Sequence, residues 1–228
     1  MEYKIKGEAF QVVDITIHDD EKIYCEKGAM LYMSDGMNFE TEVYGGVIRG
    51  LKRTFIKESF FMSIFSLKDG FSTGTVGFNG DTLGKIIPID VSKAPIIAHK
   101  ESFLCAESTV KLDVAFTKNV GAGLFGKEGF TFVHLSGTGM AFLKVSGDLI
   151  ERDLKQGEKI YVNRGLIVGF TEGITYDVEL IRRVKTLIFG GEGIFLSTLT
   201  GPGHVILQTF DNNRFTKSVK KTIAEERA

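Results

Sequence analysis

Two stretches of the chain alternate apolar and polar side chains with a period of two. Val110, Leu112, Val114 and Phe116 interleave with Lys111, Asp113, Ala115 and Thr117, and Tyr176, Val178 and Leu180 with Thr175, Asp177 and Glu179. That period sends one set to each face of an extended strand, so both stretches read as half-buried β-strands. Other runs, such as Phe130–Leu135, are rich in aromatic and β-branched residues and end in glycine turns, Ser136-Gly-Thr-Gly and Thr200-Gly-Pro-Gly among them. Strand signals recur about every 8–12 residues, the spacing of sandwiches and barrels. Only the charged tail, over Lys217–Arg227, has a helical pattern, and it is short. The pattern predicts an all-β protein with a C-terminal helical tail.

The strands come in copies. Phe125–Gly139 aligns without a gap on Phe189–Gly203, and Val110–Phe116 aligns on Ile174–Leu180, both at a shift of 64 positions. One constant shift over two separated segments marks a duplication. A weaker third copy lies upstream. Glu58–Ser66 matches Glu192–Thr200 at a shift of 134, and Leu31–Gly36 resembles Ile160–Gly165 at 129, with an insertion around Val47–Ile56 separating the two shifts. The expected organisation is three β-units, 1–87, 88–150 and 151–215, followed by the tail 216–228. No Pro- or Ser-rich linker divides them, so the units are expected to pack as one body.

Composition narrows the function classes. Hydrophobic residues make up 43% and charged residues 25%, and 28 Lys and Arg against 29 Asp and Glu leave a net charge of −1. That balance argues against a nucleic-acid partner, which draws a basic excess. No run approaches the roughly 18 apolar residues of a membrane span. Met1–Gly7 lacks the apolar core of a signal peptide, so a cytoplasmic location is expected. On that reading Cys25 and Cys105 are reduced structural thiols. The 27 glycines among 228 residues are roughly 12%, against a usual ~7%, and turns that need positive φ account for them.

Chemical motifs do not rise above this background. Gly121, Gly123 and Gly126 satisfy G-x-G-x-x-G, and with Lys127 they come within one position of a phosphate-binding loop. Both motifs require a helix to start at the loop, whereas Gly129 and a β-run follow, and Glu128 stands where the Mg²⁺-binding hydroxyl belongs. His18, His99, His134 and His204 have no metal-ligand spacing, and no repeat position holds histidine twice. Ser136 lacks the glycine two residues earlier that a nucleophile elbow demands. The basic clusters Arg49–Arg53, Arg182–Lys185 and Lys217–Lys221 read as solvated surface. No cofactor, metal or catalytic residue is implied.

One charged residue falls at the same place in all three copies: Glu58, Glu128 and Glu192, each just before a β-run, with Gly126 and Gly190 as repeat-equivalent turn glycines. The structural reading lets each carboxylate accept N–H groups of its own turn. The functional reading makes the three a site for a cation or partner, which requires them to converge.

The segments Gly45–Arg53, Glu58–Phe61, Gly121–Gly126 and Gly190–Leu196 together resemble the widespread uncharacterised proteins related to the altered-inheritance-of-mitochondria protein, placed in the tryptophan RNA-binding attenuator-like superfamily. The resemblance covers the chain to about Phe210, with Lys57 and Lys127 as local departures. It implies three attenuator-like β-units of double-stranded β-helix or sandwich type and a tendency to homo-oligomerise, with a trimer as one such assembly. It supplies no catalytic residues. The function expected is a non-enzymatic self-assembling scaffold or binding module. RNA or nucleotide binding, or an enzyme with a dispersed site, are the alternatives.

Overall fold

The structure is a computed structural model that describes residues 1–44, 60–118, 130–180 and 195–225. Among these, nineteen β-strands form four antiparallel sheets, and one α-helix ends the chain. The first sheet runs β1 (Glu2–Lys6), β2 (Val12–His18), β7 (Thr73–Asn79), β4 (Met30–Met33). The second runs β5 (Met37–Tyr44), β6 (Phe60–Leu67), β3 (Ile23–Glu26), β10 (Phe103–Glu107), β13 (Met140–Ser146), β8 (Gly84–Asp90). The third runs β11 (Val110–Lys118), β12 (Phe130–Gly137), β9 (Ile96–His99), β16 (Ile167–Thr171), β19 (Gly203–Gln208), β14 (Leu149–Leu154). The fourth is β15 (Lys159–Val162), β18 (Phe195–Thr200), β17 (Thr175–Leu180). The all-β expectation holds.

The strands gather into two compact units. The first comprises Met1–Lys93, Phe103–Lys111 and Ser136–Lys144; the second comprises Ala94–Ser102, Leu112–Leu135 and Val145–Ala228. In the first, strand alternation buries Val13, Ile15 and Ile17 from β2 against Phe65, Phe78, Leu104 and Phe142. In the second, Phe132 is fully buried, with ring centroids 5.0 Å from Phe116, 5.1 Å from Tyr176 and 5.5 Å from Phe170. Each such side chain contributes roughly 1.5–3 kcal/mol by leaving water. Tyr176 and Leu112 are buried as their alternation predicts, but Val114 is 45% exposed. It lies on β11, the outermost strand of its sheet, with no neighbour on one side among the described residues.

Pairing repeats three times along the chain. The strands β2 to β7 make the pairs β2·β7, β4·β7, β3·β6 and β5·β6. The strands β8 to β13 make β8·β13, β10·β13, β9·β12 and β11·β12, and β14 to β19 make β14·β19, β16·β19, β15·β18 and β17·β18. A β-bulge falls at the same place each time, between Met30 and Tyr32, Phe103 and Cys105, and Ile167 and Gly169. Bulges re-aim a strand and are specific features, so three at one position are hard to produce independently. Short 3-10 turns, Lys100–Ser102 and Arg164–Leu166, also stand 64 positions apart.

One expected match is corrected by this pattern. Leu31–Gly36 does not correspond to Ile160–Gly165, because β4 takes the role of β16, not of β15: both carry the bulge and pair with the last strand of their set. The role of β15 belongs to β3. Short apolar strands that end in a turn look alike in sequence whichever pairing they serve.

The helix α1 (Asn212–Glu225) starts five residues before the expected tail helix. Asp211 caps it, its Oδ1 accepting the Arg214 backbone N–H at 3.0 Å, and Phe215 packs on Phe210 with ring centroids 5.4 Å apart.

Cys25 and Cys105 sit directly opposite each other on β3 and β10, both buried and both free thiols. Burial, with Glu26 nearby, pushes the Cys25 thiol up to about 12 and Cys105 well above its ordinary value. Neither is a thiolate at neutral pH, so both should be inert to a disulfide reagent in the native protein and both should react in denaturant. Reaction of either thiol at the native state's full folded population would contradict this packing.

Candidate functional site

In two places one set of strands joins the next. β10 lies on β3 with Cys105 opposite Cys25, Ala106 opposite Tyr24 and Glu107 opposite Ile23. β16 lies on β9 with Gly169 opposite Ala98, Phe170 opposite Ile97 and Thr171 opposite Ile96. The residues facing each other at the bulge are small, Cys with Cys and Gly with Ala. A Cβ at Gly169 would stand 3.0 Å from the Ile97 carbonyl oxygen and 3.3 Å from the Ala98 Cα, so this join tolerates little more than glycine. The first four residues of β10 and of β16 are buried.

β4 and β15 hold the same two places in the pairing scheme, but among the described residues β4 pairs only with β7 and β15 only with β18. Both are sheet edges. Met30, Leu31 and Tyr32 on β4 are 39%, 51% and 44% exposed, and Tyr161 on β15 is 54% exposed. Tyr32 occupies the position of Cys105 and Gly169. Its ring lies back over Gly77, where a Cβ would come within 2.7 Å of it, and its hydroxyl donates to Asp14. Burial would raise the Asp14 carboxyl, but the Lys6 ammonium and this hydroxyl hold it below its ordinary value. An apolar edge with free N–H and C=O groups is a template for another strand.

The repeat-equivalent residues Glu58, Gly126, Glu128, Gly190 and Glu192 lie outside the described residues, as do the glycine-rich loop Gly121–Lys127 and the insertion at Val47–Ile56. In sequence, each glutamate falls between two strands that pair with each other, β5 and β6, β11 and β12, or β17 and β18. The open edges were not among the sequence candidates. Their only sequence signal is the unbroken apolar run Met30–Met33, which alternation rules pass over.

Several polar groups elsewhere are already engaged. The buried Lys144 ammonium pairs with Glu26 and, at 3.0 Å, with Asp81; burial would lower it, but the two carboxylates raise it. His204 is held between Asp153 at 2.7 Å and Glu151 at 3.2 Å, and His134 binds Glu172 at 2.8 Å. A cleft of about 370 Å³ in the first unit is lined by Asp19, Asp20 and Glu107. Glu21, also in its wall, accepts the His18 backbone N–H at 2.9 Å and binds the Met1 amine. Glu107 accepts the Met140 N–H at 2.8 Å. Among the described residues no three His, Cys, Asp or Glu side chains are placed to hold a metal ion. Among the described residues the free sides of β4 and β15 have no strand beside them, unlike those of β10 and β16.

Residues 3–210 match the model of the family described as Mitochondrial biogenesis AIM24, and the chain belongs to that family. It is 22% identical over 219 residues to an uncharacterized protein of Streptococcus pyogenes serotype M6, covering 93% of this chain and 86% of that protein. Its fold is similar to the X-ray crystal structure of a protein from Streptococcus pyogenes, with a TM-score of 0.77 at 17% identity, over 97% of this chain and 99% of that one. At that identity the likeness shows the fold alone.

Lys144→Ala should cost about 3 kcal/mol, since it both takes the cation from Glu26 and Asp81 and leaves a gap where the buried stem lay, while Lys144→Met, which fills that space and loses only the charge, should cost less; chemical denaturation reads both. Two histidines should pull the pH dependence in opposite directions. Burial, then Lys100, lowers His99 to about 4, so its stabilising effect is full above the ordinary value near 6.5 and is lost as pH falls to 4. Replacing it by Phe should flatten that acid limb by roughly 3 kcal/mol. Burial lowers His204, but Asp153 and Glu151 outweigh it and raise the imidazole. Its contribution is therefore present below 6.5 and lost as pH rises through the raised value. His204→Gln should lower the melting temperature at pH 5.5 and leave it unchanged at pH 9, by no more than about 1 kcal/mol at this half-exposed site.

Proposed function

We propose that this member of the AIM24 family is a non-enzymatic, cytoplasmic self-assembling scaffold, built of three copies of one attenuator-like β-unit and joined copy to copy by β4 of one chain and β15 of the next. The observation that carries the reading is that β4 and β15 hold join positions that are buried and paired elsewhere in the chain and that lie open among the described residues. The repeated pairing scheme and its three bulges support the three-unit division, and the two existing joins give the register a third should follow, with the larger Tyr32 and Val162 at its bulge. Extending that register places Tyr32 opposite Val162, Met33 opposite Tyr161 and Ser34 opposite Ile160. The contact is heterologous, so successive copies close into a ring or continue as a filament according to the rotation per step. A trimer is the ring the sequence resemblance implies.

Two measurements test the reading together. Light scattering at tens of micromolar should give a defined multiple of the monomer mass. A Met33→Cys, Tyr161→Cys double variant, oxidised under mild conditions, should form disulfide-linked multimers, because the native thiols are buried. Monomer mass, with the disulfide closing inside one chain, would show that the edges serve each other and would remove the scaffold reading. Oligomers that fail to cross-link would place assembly on another surface. Gly77→Val, which evicts the Tyr32 ring from its seat, should weaken assembly through the edge.

A further inference from the structure

The helix α1 is amphipathic and unburied. None of its fourteen residues is buried, and its apolar side chains Phe215, Val219 and Ile223 are 56%, 40% and 46% exposed. Their spacing of i, i+4, i+8 sets them in one row along the helix, an arc of about 80° over about 12 Å. Arg214, Lys217, Lys220 and Lys221 lie off that row, against Glu225 as the helix's single anion. Four cations and one anion give +3 in a chain whose total is −1, so positive charge is concentrated here.

We propose that α1 binds in the headgroup layer of an anionic lipid surface, its apolar row dipping into the acyl boundary and its cations against lipid phosphates. Three features select this occupant. The row is narrower than the ~100° face a helix needs to seat in a protein core, whereas shallow insertion into a lipid boundary needs one row. The concentrated positive charge is complementary to anionic headgroups and repels a second copy of the same helix. The base of the helix is fixed: Asp211 caps it, Gly165 packs on the Asp211 carboxylate, and Asn212 donates to Ser146 Oγ at 2.9 Å. The helix is thus presented as a formed element rather than folded on arrival, which removes part of the ordering cost of binding. No helix among the described residues is long and apolar enough to cross a membrane, so this contact is peripheral.

The chain contains no tryptophan, so Phe215→Trp introduces a single fluorescent reporter at the apolar row. The full-length variant is mixed with vesicles of phosphatidylcholine, alone or with about 30% phosphatidylserine, at about 0.1 M salt. The expected result is a blue shift and partition at least about tenfold stronger onto the anionic vesicles, reversed at about 0.5 M salt. Lys217→Gln, Lys220→Gln and Lys221→Gln should each lower partition roughly fivefold. Val219→Ser with Ile223→Ser should abolish the blue shift while leaving the melting temperature unchanged, since neither side chain is buried; that control separates lost binding from lost fold. No shift with either vesicle, or anionic binding indifferent to the serine pair, would overturn the proposal. A shift produced by an acidic protein fraction and never by vesicles would also overturn it, assigning the row to a protein partner. The reporter reads the helix in any oligomeric state, so this result and the edge-pairing result fail independently.

Discussion

The fold depends on pairing both sides of a short bulged strand. β10 and β16 each carry a bulge, and each is hydrogen-bonded on both sides, to the closing strand of its own set and to a strand of the preceding set. A buried backbone N–H or C=O left without a partner costs about 1–3 kcal/mol, comparable with the worth of a large buried side chain. No set of strands can meet that demand alone, because its own strands supply a partner on one side only. Joining to a neighbour is therefore how the core closes. The bulge that lets the strand bend and the small residues opposite it belong to the same requirement.

The same constraint explains why the first strand of this kind looks different. Tyr32 stands where Cys105 and Gly169 stand, and its larger side chain needs a seat outside a contact as close as that of Gly169 with Ala98. It turns back over Gly77 and onto Asp14, across its own sheet and away from the side of β4 that has no neighbour among the described residues. The paired joins and the open edge share one topology and differ in side-chain size at one position.

Electrostatics follows a simpler rule. Charges near the core are matched on the spot: Lys144 by Glu26 and Asp81, His204 by Asp153 and Glu151, Asp14 by Lys6. These clusters hold strands in place. Positive charge gathers on α1, where, among the described residues, Lys221 alone of the four cations has an ion-pair partner, Glu225 at 3.8 Å. With +3 on α1 and −1 on the whole chain, the remaining residues carry −4, so positive charge is set apart on the helix.

What the sequence by itself determined was local. Alternation at Val110–Phe116 and Thr175–Leu180 marked strands, because a period of two is a property of one strand and needs no partner. The 64-residue shift was legible too, and the 3-10 turns and the strands β10 and β16 stand at that same shift. The helical tail was legible but its start was not, since the Asp211 cap and the Phe210 contact lie upstream of its charged residues. Candidate residues came from repeated turns, Glu58, Glu128 and Glu192, because a turn residue stands out in an alignment and a strand edge does not. Only the tertiary structure decided which strand pairs with which. That choice turned the resemblance of Leu31–Gly36 to Ile160–Gly165 into a false match, set Cys25 opposite Cys105, and left β4 and β15 open. The physical reason is that hydrogen bonds between strands join residues far apart in the chain, and their register is fixed by side-chain size and burial across the join, quantities no single segment contains.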